Sequence, residues 1–268
     1  MKILITGGNG YIAKSLHEKF SDKYDITSVS RKDFDLSDPI ETFKWFEDKK
    51  FDVVIHTAIV GGNRLQEDDH EITKQNLLMY YNLMQNKKSF GRLLSFGSGA
   101  EVTRTNTPYG LSKRLIADSI AETENFYNII IFAVFDENEL DRRFIKSNIK
   151  RYIENKPMIV HSDKVMDFFY MEDLCSLVDY YIQRVSPPKE INASYENKYS
   201  LRDIANMINQ LGKHIVPVEI KNEHDPEVYA GSSDLPIKCV GLFRGIEKTY
   251  LTLKKQSGIV CTENISHG

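Results

Sequence analysis

The 268-residue chain has only three cysteines, Cys175, Cys239 and Cys261. They are isolated, odd in number and without metal-ligand spacing, which argues against a disulfide scaffold and a structural zinc site. No apolar run approaches the ~20 residues of a membrane-spanning helix. The first apolar run, Ile3-Leu4-Ile5, meets Gly7-Gly8 too soon for a secretory signal. Charge of one sign is also missing: 35 Lys and Arg stand against 38 Asp and Glu, a net charge of -3. That speaks against a broad nucleic-acid-binding surface. No segment repeats. A soluble, cytoplasmic, reducing setting is the expectation. With 41% apolar and 27% charged residues, the chain has the composition of an ordinary globular protein.

What is present alternates. Lys2 to Thr6 reads as a strand, Gly7 to Gly10 as a turn, and Tyr11 to Phe20 as a helix with Ile12, Leu16 and Phe20 at spacings of four. Asp25 to Ser30 reads as a strand. Pro39 to Lys49 reads as a helix with Asp38 as its N-cap. Phe51 to Ala58, Gly91 to Gly97 and Asn128 to Phe135 read as strands, and Glu71 to Asn86 and Pro108 to Glu124 as helices. This order predicts an α/β fold: a doubly wound, Rossmann-type parallel sheet covered on both faces. Beyond Phe135 the alternation breaks down. Helices are expected over Asp141 to Glu154, Glu172 to Arg184 and Leu201 to Leu211, with a short strand over Met158 to His161. Lys255 to Gly268 shows no periodicity and is expected to fray. The expected division is a core of residues 1–135 and 166–193 with a smaller, interleaved C-terminal α/β lobe of 136–165 and 194–268.

Three features carry candidate chemistry. Gly7-Gly8-Asn9-Gly10-Tyr11-Ile12-Ala13 joins strand to helix, where backbone amides and the helix dipole favour a pyrophosphate. A plain turn is the alternative, and the strand–helix context favours the cofactor. At the tip of the second strand, Ser30-Arg31-Lys32 offers no carboxylate. Arg31 suits the 2′-phosphate of NADP, or is half of a solvated basic pair; Asp35-Leu36 can frame the adenine. Tyr109 and Lys113, at i and i+4, share a helix face. A lysine ammonium there is expected to lower the phenol's pKa, so that Tyr109 can exchange a proton with a carbonyl oxygen. Ser98, at a strand's carboxyl end, can bond the same oxygen. The simpler alternatives are an exposed helix face and a turn serine. His56 reads as a satisfied buried histidine, Trp45 with Phe43 and Phe46 as sheet packing, and the Asp68-Asp69-His70 loop as a poor metal site.

Together, Thr6-Gly7-Gly8-Asn9-Gly10-Tyr11-Ile12, Ser98 and the Tyr109–Lys113 pair resemble the extended short-chain dehydrogenase/reductase superfamily. More narrowly the chain resembles NAD(P)-dependent nucleotide-sugar epimerases, dehydratases and 4-keto-reductases, such as GDP-fucose synthase and dTDP-4-dehydrorhamnose reductase. Val60-Gly61-Gly62 with Gln75-Asn76, and Asp167 to Leu174, add to the likeness. The resemblance implies a nucleoside-diphosphate sugar substrate, NADP by preference or NAD, and Ser98, Tyr109 and Lys113 as the catalytic set. It implies cofactor contacts from Gly7, Asn9, Gly10, Tyr11, Ile12, Arg31, Asp35, Leu36, Thr57, Ala58, Tyr109 and Lys113. It implies substrate contacts from Gly61, Gly62, Ser98, Gly99 and Arg143, and a homodimer through the 71–86 and 108–124 helices. The departures are specific. Ala100 stands where GDP-fucose synthase has its epimerising cysteine, and Asp136-Glu137-Asn138 lacks the partner histidine. Ala133 and Met166 replace polar residues expected to meet the substrate, for which Arg64, Arg142 or Arg143 would compensate. A 4-keto reductase is thus the leading expectation. A 4-epimerase with tightly held NAD and a non-catalytic dinucleotide sensor are the alternatives.

Overall fold

A computed structural model describes residues 1–62, 68–223, 225–232 and 234–258. Six strands and five helices build the larger part: β1 (Lys2–Thr6), α1 (Tyr11–Phe20), β2 (Asp25–Val29), α2 (Pro39–Phe46), β3 (Phe51–His56), α3 (His70–Gln85), β4 (Phe90–Ser98), α4 (Ala100–Thr103), α5 (Pro108–Glu122) and β5 (Phe126–Ile131), with the sixth strand arriving later. The chain continues through β6 (Val134–Phe135), α6 (Phe144–Ile153), β7 (Met158–Val160), β8 (Val165–Met166), β9 (Phe169–Tyr170), α7 (Met171–Gln183), β10 (Glu190–Ala193), α8 (Leu201–Asn209), β11 (Val218–Ile220), β12 (Val228–Tyr229) and α9 (Leu242–Gln256).

The main sheet is parallel throughout, in the order β10-β5-β4-β3-β1-β2. The chain order reverses between β1 and β3, and ligands of such sheets bind at that crevice beyond the strands' carboxyl ends. Register brings Thr6 level with His56. Strands buried on both faces read as near-continuous apolar runs, and successive residues serve opposite faces. Ile3, Ile5, Val53 and Ile55 pack in one cluster with Leu16 of α1 and Leu174, Leu177 and Val178 of α7. Leu4 and Val54 pack on the other side with Phe46 of α2, Tyr80 and Leu83 of α3, and Ile116 of α5. A third cluster joins Ile145, Ile149 and Tyr152 of α6, Ile204 and Ile208 of α8, and Ile246 and Tyr250 of α9. Short parallel pairs, β7 with β11 and β8 with β12, edge this smaller cluster. No helix among the described residues is long and apolar enough to cross a membrane.

The expected alternation is present, with local differences. The strand expected over Asn128 to Phe135 is two: β5 starts at Phe126, and Val134–Phe135 leaves the main sheet to pair with β9. The backbone between them crosses from one cluster to the other. Helix α6 begins at Phe144 rather than Asp141, because the residues before it turn, the Arg143 amide bonding the Leu140 carbonyl at 2.9 Å. Phe43 faces solvent instead of packing; Trp45 stacks between Phe34 and Phe51. Helix α9 has no counterpart in the sequence reading; Lys255 and Gln256, expected to fray, belong to its last turn, and residues 259–268 lie outside the described residues.

Helix α8 carries a reciprocal cap: the Asp203 amide donates to Ser200 Oγ at 3.1 Å, and Asp203 Oδ2 accepts from the Ser200 amide at 2.9 Å. Ser200→Ala is expected to cost ~1 kcal/mol and Ser200→Gly only a few tenths of that. Urea unfolding of both variants checks this; equal costs would contradict the capping role.

Candidate active site

The turn after β1 runs hard against the end of β3. Gly7 has φ +71°, and a Cβ there would lie 2.8 Å from the Ala58 backbone. That combination of left-handed backbone and missing space demands glycine. Side chains lock the two strand ends: Thr57 Oγ1 donates to the Thr6 carbonyl at 2.6 Å, and Thr6 Oγ1 lies 2.9 Å from His56 Nδ1. His56 is a buried, bonded histidine as expected. Burial drives its pKa down to about 3, with the Lys113 charge adding to the effect.

A cavity of about 520 Å³ opens at this crevice. Gly7, Asn9 and Gly10 form one side of it, Arg31, Asp35 and Leu36 the second, and Thr57, Ala58 and Gly61 the third. Most of the expected cofactor residues are thereby brought together. Tyr11 and Ile12 stand beside the cavity in the first turn of α1 rather than among its lining. The Tyr11 phenol donates to Asp136 Oδ1 at 2.7 Å and so ties α1 to the residue after β6. Two amides of the glycine turn, expected to be free, are used internally: Gly8 N–H bonds Val29 O, and Gly10 N–H bonds Gly7 O, each at 2.8 Å. No side chain caps α1, so its first-turn amides are left for an anion. At the other rim, Asp33 accepts from the Ser30 amide and Asp35 from the Ser37 amide. The Ser37 bonds, with help from Arg31, hold the Asp35 carboxyl below its ordinary range. The space, the glycine-lined wall and the uncapped helix fit a dinucleotide.

Gly61, which lines the cavity, is followed by Gly62 beside Tyr109. Gly62, at φ +71°, lies against this ring; a Cβ would fall 2.8 Å from its Cε2 and Cζ. Asn76 pins this loop, accepting from the Val60 amide at 2.9 Å and donating to Ser112 of α5 at 3.1 Å. Pro108 starts α5 and Thr107 caps it, accepting from the Gly110 amide at 3.1 Å. This fixes the first turn, which carries Tyr109. Ser98 stands at the carboxyl end of β4 and acts on the Tyr109 phenol. Lys113, one turn on, is buried with its Nζ donating to the Phe96 carbonyl at 2.5 Å and lying 5.9 Å from the Tyr109 ring centre. The three expected catalytic residues therefore converge.

Their electrostatics differ from expectation in one respect. Burial holds the Tyr109 phenol above its ordinary pKa; the Ser98 bond opposes this, while Tyr229, Glu101 and Asp68 add to it. Lys113, whose own charge burial disfavours, does not offset this. At neutral pH Tyr109 is a phenol, the form that donates a proton.

Among the described residues, the remaining expected ones do not line the cavity. Gly99 follows Ser98 at the β4 end, its amide bonded to the Ile131 carbonyl at 3.0 Å. Arg143 is exposed at the head of α6, with Arg142 beside it. Arg64 and Cys261 lie outside the described residues. Asp69 caps α3, and Asp68 Oδ1 accepts from the Gly62 amide at 3.1 Å. Two site residues were missed. Tyr229, on β12 of the smaller cluster, brings its hydroxyl to 3.2 Å from Ser98 Oγ. Its segment is strapped down: Glu227 pairs with Arg104 and Lys164, and Gly231 N–H donates to Asp167 at 2.8 Å. No local pattern around Tyr229 announces this; the approach is long-range. Glu101, three residues after Ser98, is the second, and its signal was a lone acid in the short run Ser98 to Val102.

Residues 3–194 match the family described as the NAD dependent epimerase/dehydratase family. No curated protein gives a significant match. Many solved structures share the fold. A UDP-glucose 4-epimerase with UDP-glucose from Thermotoga maritima is 15% identical with a TM-score of 0.78, over 96% of this chain and 100% of that one. A GDP-mannoheptose C4 reductase from Campylobacter jejuni with NADP bound is 16% identical with a TM-score of 0.78, over 94% and 98%. A GDP-L-fucose synthetase from Naegleria fowleri is 16% identical with a TM-score of 0.75, over 97% and 94%.

The buried neutral His56 yields a pH dependence. The unfolded chain's histidine takes a proton below pH about 6.5 and the folded one does not. Stability from this group is full above that pH and declines as pH falls, at a slope approaching ~1.4 kcal/mol per pH unit. Urea midpoints between neutral and acid pH should show the decline, and His56→Asn should flatten it by one proton's worth. An unchanged slope would contradict the assignment.

Proposed function

Because the chain belongs to the NAD dependent epimerase/dehydratase family, we propose that it is an NADP(H)-dependent reductase of a 4-keto nucleotide sugar. Residues 1–135 and 166–193 serve as the cofactor core, and 136–165 with 194–268 as the substrate lobe. The observation that carries this reading is the Tyr109 ring, packed against Gly62 next to the cavity-lining Gly61, with the buried Lys113 Nζ 5.9 Å from its centre. A reduced nicotinamide bound in the cavity would supply the hydride for the carbonyl carbon. Tyr109 donates its proton to the carbonyl oxygen, Ser98 holds that oxygen, and the Lys113 ammonium steadies the phenolate left behind. Solvent then returns the proton to Tyr109. The uncapped start of α1 receives the pyrophosphate, with Gly7, Asn9, Gly10, Tyr11 and Ile12 around it. Thr57 and Ala58 line the nicotinamide side, and Asp35 and Leu36 the adenine side. Gly61, Gly62, Gly99 and Arg143 meet the substrate. NADP is preferred because Arg31 stands at the rim while Asp33 and Asp35 are engaged by Ser30 and Ser37.

Tyr109→Phe is expected to keep dinucleotide binding and lose ~10²–10⁴-fold in turnover. NADPH oxidation across a panel of 4-keto nucleotide sugars measures it; near-normal turnover sinks the assignment. Native mass spectrometry of the purified protein separates the readings further. A tightly retained NAD marks an epimerase, and bound dinucleotide without turnover on any keto-sugar marks a sensor.

The homodimer is part of the same proposal. Helices α3 and α5 pack side by side, and Leu78, Tyr81, Leu111 and Leu115 on them are 37–42% exposed. Such a contiguous apolar face on two adjacent helices suits a second copy. Sedimentation should give a dimer, and Leu111→Glu with Leu115→Glu a folded monomer. A monomeric wild type would refute the interface.

A further inference from the structure

Glu101 is a buried acid that this chemistry leaves unused. Glu101, on the short helix after Ser98, is 2% exposed. Its Oε2 accepts from the Ser98 amide at 3.0 Å, and its Oε1 accepts from Asn128 Nδ2 at 2.9 Å. Gly97 makes the room: a Cβ there would lie 2.6 Å from Glu101 Oε2 and 2.7 Å from Asn128 Oδ1. Lys113 reaches the same stretch of β4, its Nζ on the Phe96 carbonyl at 2.5 Å. The carboxylate and the ammonium therefore meet the three consecutive residues Phe96, Gly97 and Ser98. Among the described residues Lys113 has no direct ion pair, and Glu101 is the acid whose charge acts on it.

We propose that Glu101 is the buried counter-charge of Lys113, a positioning residue that keeps the ammonium charged beside Tyr109 while its carboxylate anchors the Ser98 backbone. This rests on the reading of Tyr109 as the acid and Lys113 as its electrostatic partner. A buried ammonium with only a carbonyl for company tends to shed its proton, and a buried carboxylate tends to gain one. Each charge here opposes the other's neutralisation. The surroundings fit. Lys113 also faces His56, which is neutral, and Tyr109. Glu101 faces Glu190 across Asn128, whose Nδ2 lies 3.3 Å from Glu190 Oε2; this like charge works against the carboxylate, while the Ser98 amide, the Lys113 charge and the Asn128 amide favour it. Tyr109 further faces Tyr229 and Asp68, neither of which is a cation. Removing the Glu101 charge should therefore discharge Lys113 at a lower pH.

The test is a carbon-13 NMR titration of protein labelled at lysine and glutamate, with Lys113→Met and Glu101→Gln identifying the two signals. In Glu101→Gln, which keeps the shape, the Lys113 midpoint should fall by about one pH unit, a tenfold loss of proton affinity. Linkage is reciprocal, so the Glu101 carboxyl in Lys113→Met should hold its proton to a pH higher by the same amount. This second arm answers the question if the Gln variant does not fold. An unmoved midpoint in either folded variant overturns the proposal. Neither arm needs a substrate, so both stand if no keto-sugar is reduced and the reductase reading fails. Where turnover is measurable, the alkaline limb of reduction should move to lower pH in Glu101→Gln. A loss equal at every pH, which a purely structural role would give, also overturns the proposal.

Discussion

The close approach of the turn after β1 to the end of β3 is the constraint on which the site depends. Gly7 has no room for a side chain against Ala58, and its left-handed backbone admits little else. That contact sets the height of the uncapped α1 terminus above the sheet. Hydrogen bonds from Thr57 and between Thr6 and His56 hold the two strand ends at one level. The cavity is what remains between them, so its shape is a property of backbone packing more than of the residues lining it.

A second constraint governs the chemistry. Lys113, Glu101 and His56 are ionisable groups buried around the end of β4, where unpaired charge is costly. His56 meets this by staying neutral on a threonine hydroxyl. Lys113 and Glu101 meet it together, with backbone groups of Phe96 and Ser98 as their hydrogen-bond partners. Tyr109 sits at the rim of this cluster and remains a phenol. The proposed reduction uses that state directly. The phenol is held above its ordinary range because burial acts on it more strongly than its neighbours do.

The smaller cluster reaches back into the site through one strand. β12 places Tyr229 beside Ser98, and Glu227, Gly231 and Asp167 hold the segment down. In the family to which this chain belongs, Ala100, Ala133 and Met166 depart from the pattern that the resemblance led one to expect. The aromatic and ionic contacts around Tyr229 occupy part of that ground, with Phe132 packed edge-on to the Tyr229 ring and Met166 paired with it across β8 and β12.

The sheet and its flanking helices were legible in the sequence because apolar periodicity is a local property. Ile3, Leu4 and Ile5 must lie in a strand buried on both sides, and Leu16 and Phe20 must turn inward on α1. The glycine turn, Ser98 and the Tyr109–Lys113 spacing were legible too, since a few adjacent residues set each geometry. Helix α9 was not read, although its buried Ile246, Tyr250 and Leu253 follow helical spacing. Its partners, α6 and α8, lie some forty to a hundred residues back in the chain. Only the tertiary structure decided that Glu101 lies beneath Ser98, that Tyr229 stands over it, and that Tyr11 turns to Asp136. Proton affinities belong to that level as well. They depend on which charges are buried together, and no spacing along the chain states that.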